Sequence, residues 1–124
     1  MRTSHDWLTR DNVIVDAYLA DPVCNFPASA GLVRDMMGGI LYNQDPSNLN
    51  RMRRDLPVLF ISGGDDPVGN YGQGVRRSAD AFREAGMEQV DVKIYPLGRH
   101  EMLNEINRAE VFRTVNIWIR ELFL

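Results

Sequence analysis

Two residues of this sequence have a type and a setting suited to proton transfer. They are Asp66, in Gly63-Gly64-Asp65-Asp66-Pro67-Val68-Gly69, and His100, in Pro96-Leu97-Gly98-Arg99-His100. A carboxylate that accepts a hydrogen bond from one imidazole nitrogen fixes the tautomer, and the other nitrogen is then free to take a proton from a nucleophile. The two stand 34 residues apart, a separation that one βαβ crossover spans. Taken singly, each has a plainer reading. Asp before Pro is a common turn starter, and a lone histidine is more often a surface or satisfied core residue than a base. The pairing is what favours chemistry. Asp65 is the competing acid and reads as a solvated loop residue or a cap. His5 has no such context and reads as solvated.

Positioning the pair requires two strands that end side by side. Leu56-Pro57-Val58-Leu59-Phe60-Ile61-Ser62 is a short apolar run bounded by polar residues and glycine, the pattern of a strand buried on both faces. Val90-Asp91-Val92-Lys93-Ile94-Tyr95 alternates strictly and reads as a second strand nearer a sheet edge. Between them, Gln73 to Ala85 reads as a helix with Val75, Ala79 and Phe82 on one side and Gly86 as its stop. A last helix is expected from Asn104–Asn107 to the end, with the core stripe Val111, Val115, Trp118 and Leu122. Strand, loop, helix, strand, loop, helix implies an α/β fold with parallel strands and a right-handed crossover. Open α/β sheets place their chemistry in loops at the carboxyl ends of such strands. Asp66 and His100 occupy two of those loops.

Upstream, residues 1–10 read as a loop with one aromatic anchor, Trp7. Asp11 is the expected N-cap of a helix from Asn12 to Ala20, with Val13, Ala17 and Tyr18 at helical spacing, and Asp21-Pro22 ends it. A second helix is expected from Ala28 to Tyr42. Its stripe is Leu32, Met36, Ile40 and Leu41, widened by Met37, and each of Gly38 and Gly39 costs it roughly 1 kcal/mol relative to Ala. Asn43 to Asp55 is polar and reads as a loop or short turn.

The segments Pro57–Gly69 and Tyr95–Glu105 resemble the acid loop and the histidine loop of serine α/β-hydrolases. The resemblance is to the monoacylglycerol-lipase-like or lysophospholipase-like group, also described as serine aminopeptidase-like. There a Gly precedes the triad acid by three positions, as Gly63 precedes Asp66, and the histidine follows a Gly-x step, as His100 follows Gly98-Arg99. Trp7–Asp11 and Asp16–Cys24 resemble that group's cap. The resemblance implies residues 1–54 as a cap-derived helical segment and residues 55–124 as the C-terminal part of the core, the last two strands of the sheet. It implies Asp66 and His100 as triad members. It makes the Met36, Met37 and Ile40 stripe, with Val68, a wall for an acyl chain, although helix core is the commoner meaning of such a stripe.

The family nucleophile sits in a G-x-S-x-G elbow. None of Ser4, Ser29, Ser47, Ser62 and Ser78 has glycines two residues away on both sides. The expectation is therefore a truncated, C-terminal part of a carboxylic-ester hydrolase, with a monoacylglycerol- or lysophospholipid-like small-molecule substrate and little activity alone. It is expected to associate with a matching N-terminal half or with itself through an open strand edge. One alternative is an inactive interaction or dimerisation module. Another is the same fold acting on peptides, haloalkanes or other acyl groups.

Composition narrows the rest. The chain has 124 residues, 44% hydrophobic and 25% charged, with net charge −3. No basic field draws it to nucleic acid, no apolar run spans a bilayer, and no apolar leader opens it. One cysteine, Cys24, excludes an internal disulfide and suits the cytoplasm. Two scattered histidines and that cysteine lack metal-ligand spacing. The stretch from Gly63 to Gly74 lacks a P-loop ending and a dinucleotide spacing. Arg51, Arg53 and Arg54 read as a solvated loop. The implied reaction needs no metal or cofactor.

Overall fold

The computed structural model describes residues 2–24 and 26–123. Met1 and Leu124, the outer ends of the expected N-terminal loop and last helix, lie outside them. The order is α1 (Asn12–Ala20), α2 (Ala30–Gln44), α3 (Pro46–Leu49), β1 (Val58–Gly63), α4 (Gln73–Glu84), β2 (Val90–Tyr95), a 3-10 turn (Met102–Asn104) and α5 (Arg108–Glu121).

The two strands pair in parallel, in register from Val58 opposite Val90 to Gly63 opposite Tyr95. The pleat sends alternate side chains to opposite faces. On one face Ala79 of α4, Met87 and Val90 form a buried cluster with Val58, Phe60, Phe82 and Val92 around it. There Phe60 meets Phe82 edge-on, ring centres 5.1 Å apart. On the other face Tyr95, Met102 and Val111 close around Ile61. Trp118 of α5 donates its indole N–H to Asp91 at 2.7 Å, which anchors that helix to β2. The expected stripe Val111, Val115, Trp118 and Leu122 is the shielded side of α5. Gly86 follows α4 at φ +91, the left-handed conformation that a helix stop of this kind needs.

Several expectations change. α1 is capped by Asp11, which accepts from the Val13 amide at 3.1 Å. Its inward residue, however, is Val15, fully buried, while Val13 is 75% exposed. Ile14, Val15, Tyr18 and Leu19 form the shielded side, so the stripe is rotated from Val13 and Ala17. α2 starts at Ala30, where the Ser29 hydroxyl accepts from Leu32 N–H at 3.2 Å, and it passes through Gly38-Gly39 to Gln44. The polar stretch after it contains α3, because Asp45-Pro46-Ser47 is a helix start. Asp45 accepts from Ser47 N–H at 2.8 Å and Pro46 fills the first turn. β1 is not buried on both faces. Val58 to Ile61 are half-buried, since among the described residues β2 alone flanks β1 and the helices cover the faces in part. α2 rests on α3 and buries none of its residues. Residues 6–10 fold back on the sheet end, where the Trp7 and Leu8 carbonyls accept from His100 and Glu101 N–H.

Candidate functional site

The acid loop and the histidine loop leave neighbouring strand ends and cross at two glycines. A Cβ on Gly63 would lie 2.0 Å from the Gly98 carbonyl oxygen, and one on Gly98 would lie 2.7 Å from Met102 Sδ. At Gly63 a side chain would require backbone movement, and at Gly98 it would displace the end of the Met102 side chain. Two bonds join the loops there. Gly64 N–H donates to Tyr95 O and Asp65 N–H donates to Gly98 O, both at 2.8 Å. Leu97, just before the crossing, is held in the left-handed region at φ 61, a conformation that costs a non-glycine residue about 1 kcal/mol.

This crossing sets the distance between Asp66 and His100. Both Asp66 carboxylate oxygens lie 3.2 Å from His100 Nδ1. Oδ1 also accepts from Val68 N–H at 2.9 Å, an Asx turn that orients the carboxylate. Gly69 leaves the space, since a Cβ there would approach Asp66 Oδ2 to 3.0 Å. The acid is 5% exposed, whereas the histidine side chain is 38% exposed. Because Nδ1 faces a carboxylate, the hydrogen-bond network assigns the proton to Nδ1 and leaves Nε2 able to accept one. Asp65, the competing acid, is exposed and not paired with His100.

The N-terminal segment straps the histidine loop. His100 N–H donates to Trp7 O at 3.3 Å and Glu101 N–H to Leu8 O at 2.7 Å. The Trp7 ring lies 5.1 Å from the imidazole, tilted by 51°. Arg99 Nη1 donates to Thr9 O at 3.1 Å and to Asp6 O. The Asp6 carboxyl is held at about 2 chiefly by the Thr3 hydroxyl that donates to it, opposed by its burial and helped by the Thr3 and Arg2 amides and the Arg2 charge. Asp11 is likewise held below the usual carboxylate range, first by the Arg108 guanidinium at 3.0 Å.

Sequence reasoning missed the centre of this strap. Glu105 is fully buried. Its Oε1 accepts from Arg99 N–H at 2.9 Å and Arg10 N–H at 3.1 Å, and its Oε2 accepts from Arg10 Nε at 2.9 Å and Ile106 N–H at 3.0 Å. The one available signal was its place in the segment that resembles the family's histidine loop.

The residues expected to line an acyl pocket do not come together. Val68, beside Asp66, is 65% exposed. It edges a cleft of about 670 Å³ whose wall includes Leu49, Phe60, Val75 and Phe82 but not Met36, Met37 or Ile40. Those three lie exposed on α2.

The family described as serine aminopeptidase, S33, matches residues 1–107. A solved structure described as a highly thermostable carboxyl esterase from Bacillus coagulans, in complex with glycerol, superposes with a TM-score of 0.83 at 27% identity. The match covers 100% of this chain and 41% of that one, so the chain spans about two fifths of its length.

Proposed function

We propose, from the premise that this chain belongs to the serine aminopeptidase S33 family of α/β-hydrolases, that it supplies the acid and the histidine of a hydrolase for carboxylic esters. The observation that carries the reading is the buried Asp66 carboxylate 3.2 Å from Nδ1 of a partly exposed His100. In the proposed reaction a serine hydroxyl attacks the ester carbonyl carbon and its proton passes to His100 Nε2. The tetrahedral intermediate collapses, the alcohol C–O bond breaks, and the alcohol leaves with that proton. Water repeats the sequence and releases the acid. Asp66 holds the imidazole in the required tautomer and faces the positive charge that forms on it.

The serine belongs to a complementary segment with a G-x-S-x-G elbow, which this sequence does not contain. Three features suit such a complement. Among the described residues β1 has no strand on its second edge, α2 has no buried residue, and Val68, whose amide bonds Asp66, edges a cleft. In this reading residues 1–54 are the cap. Its Met36, Met37 and Ile40 close over the acyl chain of a monoacylglycerol- or lysophospholipid-like substrate once the complement is in place. No helix among the described residues is long and apolar enough to cross a membrane.

The test is p-nitrophenyl butyrate hydrolysis by the chain alone and mixed with a G-x-S-x-G-bearing complement. The expected result is turnover in the mixture only, reduced about 10⁴-fold or more by His100→Ala. Association without turnover would overturn the reading in favour of an interaction module.

A further inference from the structure

Glu105 is a fully buried charged side chain that the proposed reaction does not use. A buried carboxylate is costly unless donors surround it. Here four do, and three of them are backbone amides, of Arg10, Arg99 and Ile106, with no other partner among the described residues. One oxygen, Oε1, bridges Arg99 and Arg10. Arg99 immediately precedes His100. Arg10 ends the segment whose Trp7 and Leu8 carbonyls accept from His100 and Glu101. The peptide that carries the imidazole is thus held from both sides by contacts that converge on one carboxylate. A glutamine would keep the volume but turn an NH2 toward two donors, either at Oε1 or at Oε2.

We propose that Glu105 is a positioning residue. By tying Arg99 to Arg10 it sets the place of His100 relative to Asp66, and with it the imidazole tautomer. The inference rests on the reading of Asp66 and His100 as a working pair. Misplacement by about 1 Å is enough to impair such a group.

The test is carried out on this chain by NMR, independently of any turnover. Imidazole 15N shifts at alkaline pH give the ratio of the Nδ1–H to the Nε2–H tautomer of His100, with His5 as an internal reference. Free neutral imidazole in histidine favours Nε2–H, so an Nδ1–H preference reports the Asp66 contact. The wild type is expected to show that preference and Asp66→Asn to abolish it. Glu105→Gln, its amide spectrum still dispersed, is expected to lower the ratio about tenfold, equivalent to roughly 1.4 kcal/mol. Ala79→Gly, which destabilises α4 away from the loop, should lower Tm and leave the ratio unchanged. An unchanged ratio in folded Glu105→Gln would overturn the proposal. If Glu105→Gln does not fold, Arg10→Leu decides: it keeps the Arg10 amide, removes the Nε donor to Glu105 together with the Nη2 bond to Asn107, and should move the ratio in the same direction, and no movement overturns the proposal. A wild type without the preference, unaltered by Asp66→Asn, would instead sink the Asp66–His100 reading itself, and the proposal with it.

Discussion

The strap around His100 and helix α2 are both built from the first half of the chain, and they could hardly differ more in how they are held. Residues 6–10 engage the histidine loop and the turn after it through Trp7 O, Leu8 O, Thr9, Arg10 and Glu105. α2 is longer and richer in apolar residues, yet Leu32, Met36, Met37, Ile40 and Leu41 remain 41–69% exposed. Apolar content alone does not decide which segment is anchored. Complementary partners do: a buried carboxylate with four donors fixes five residues, while those five exposed apolar side chains leave α2 without a buried residue.

Substitutions can test that contrast, and the largest effect is expected at the crossing of the loops. Gly63→Ala puts a methyl group 2.0 Å from the Gly98 carbonyl oxygen, so urea unfolding should register a loss of about 3 kcal/mol or more. Val111→Ala, at a fully buried position beneath the histidine loop, should cost about 2 kcal/mol in the same measurement. A smaller effect, confined to acid, is expected of Asp6. Its folded-state pKa of about 2 lies below the ordinary 3.8. The stability it contributes is therefore full above 3.8 and fades as the pH falls toward 2. Unfolding curves of wild type and Asp6→Asn should converge across that window, and a constant gap would show that the carboxylate charge is not what holds Thr3 and Arg2. The smallest effect is expected on α2. Met36→Ser should change stability by less than about 0.5 kcal/mol, and α2 amides should exchange through local opening while those of Arg10 and Arg99 stay protected. Strong protection of α2 would erase the contrast.

Much of the fold was legible because its signals are local. The alternation of Val90–Tyr95 gave the limits of β2, Asp11 and Asp21-Pro22 bracketed α1, and Gly86 stopped α4. α3 is a single turn of four residues within a polar stretch that reads as a loop or short turn, and its start signal, Asp45-Pro46-Ser47, is local. The inward face of α1 is not a local property. Val13 and Val15 are equally apolar, and only the position of the helix against its neighbours makes one 75% exposed and the other fully buried. The same holds for Val68, Met36, Met37 and Ile40, which no periodicity can place around a common cleft.

By itself the sequence determined that an acid and a histidine would stand at the ends of two parallel strands. Strand period, crossover length and glycine-rich turns are written within a few tens of residues. Only the tertiary structure decided that the Asp66 carboxylate comes within 3.2 Å of His100 Nδ1, where the loops cross at Gly63 and Gly98. It also decided that Glu105 gathers Arg99 and Arg10. The Arg10–Glu105 bonds join residues 95 positions apart, and contacts at that separation leave no period in the sequence. They form because a buried charge must find its donors wherever the chain brings them.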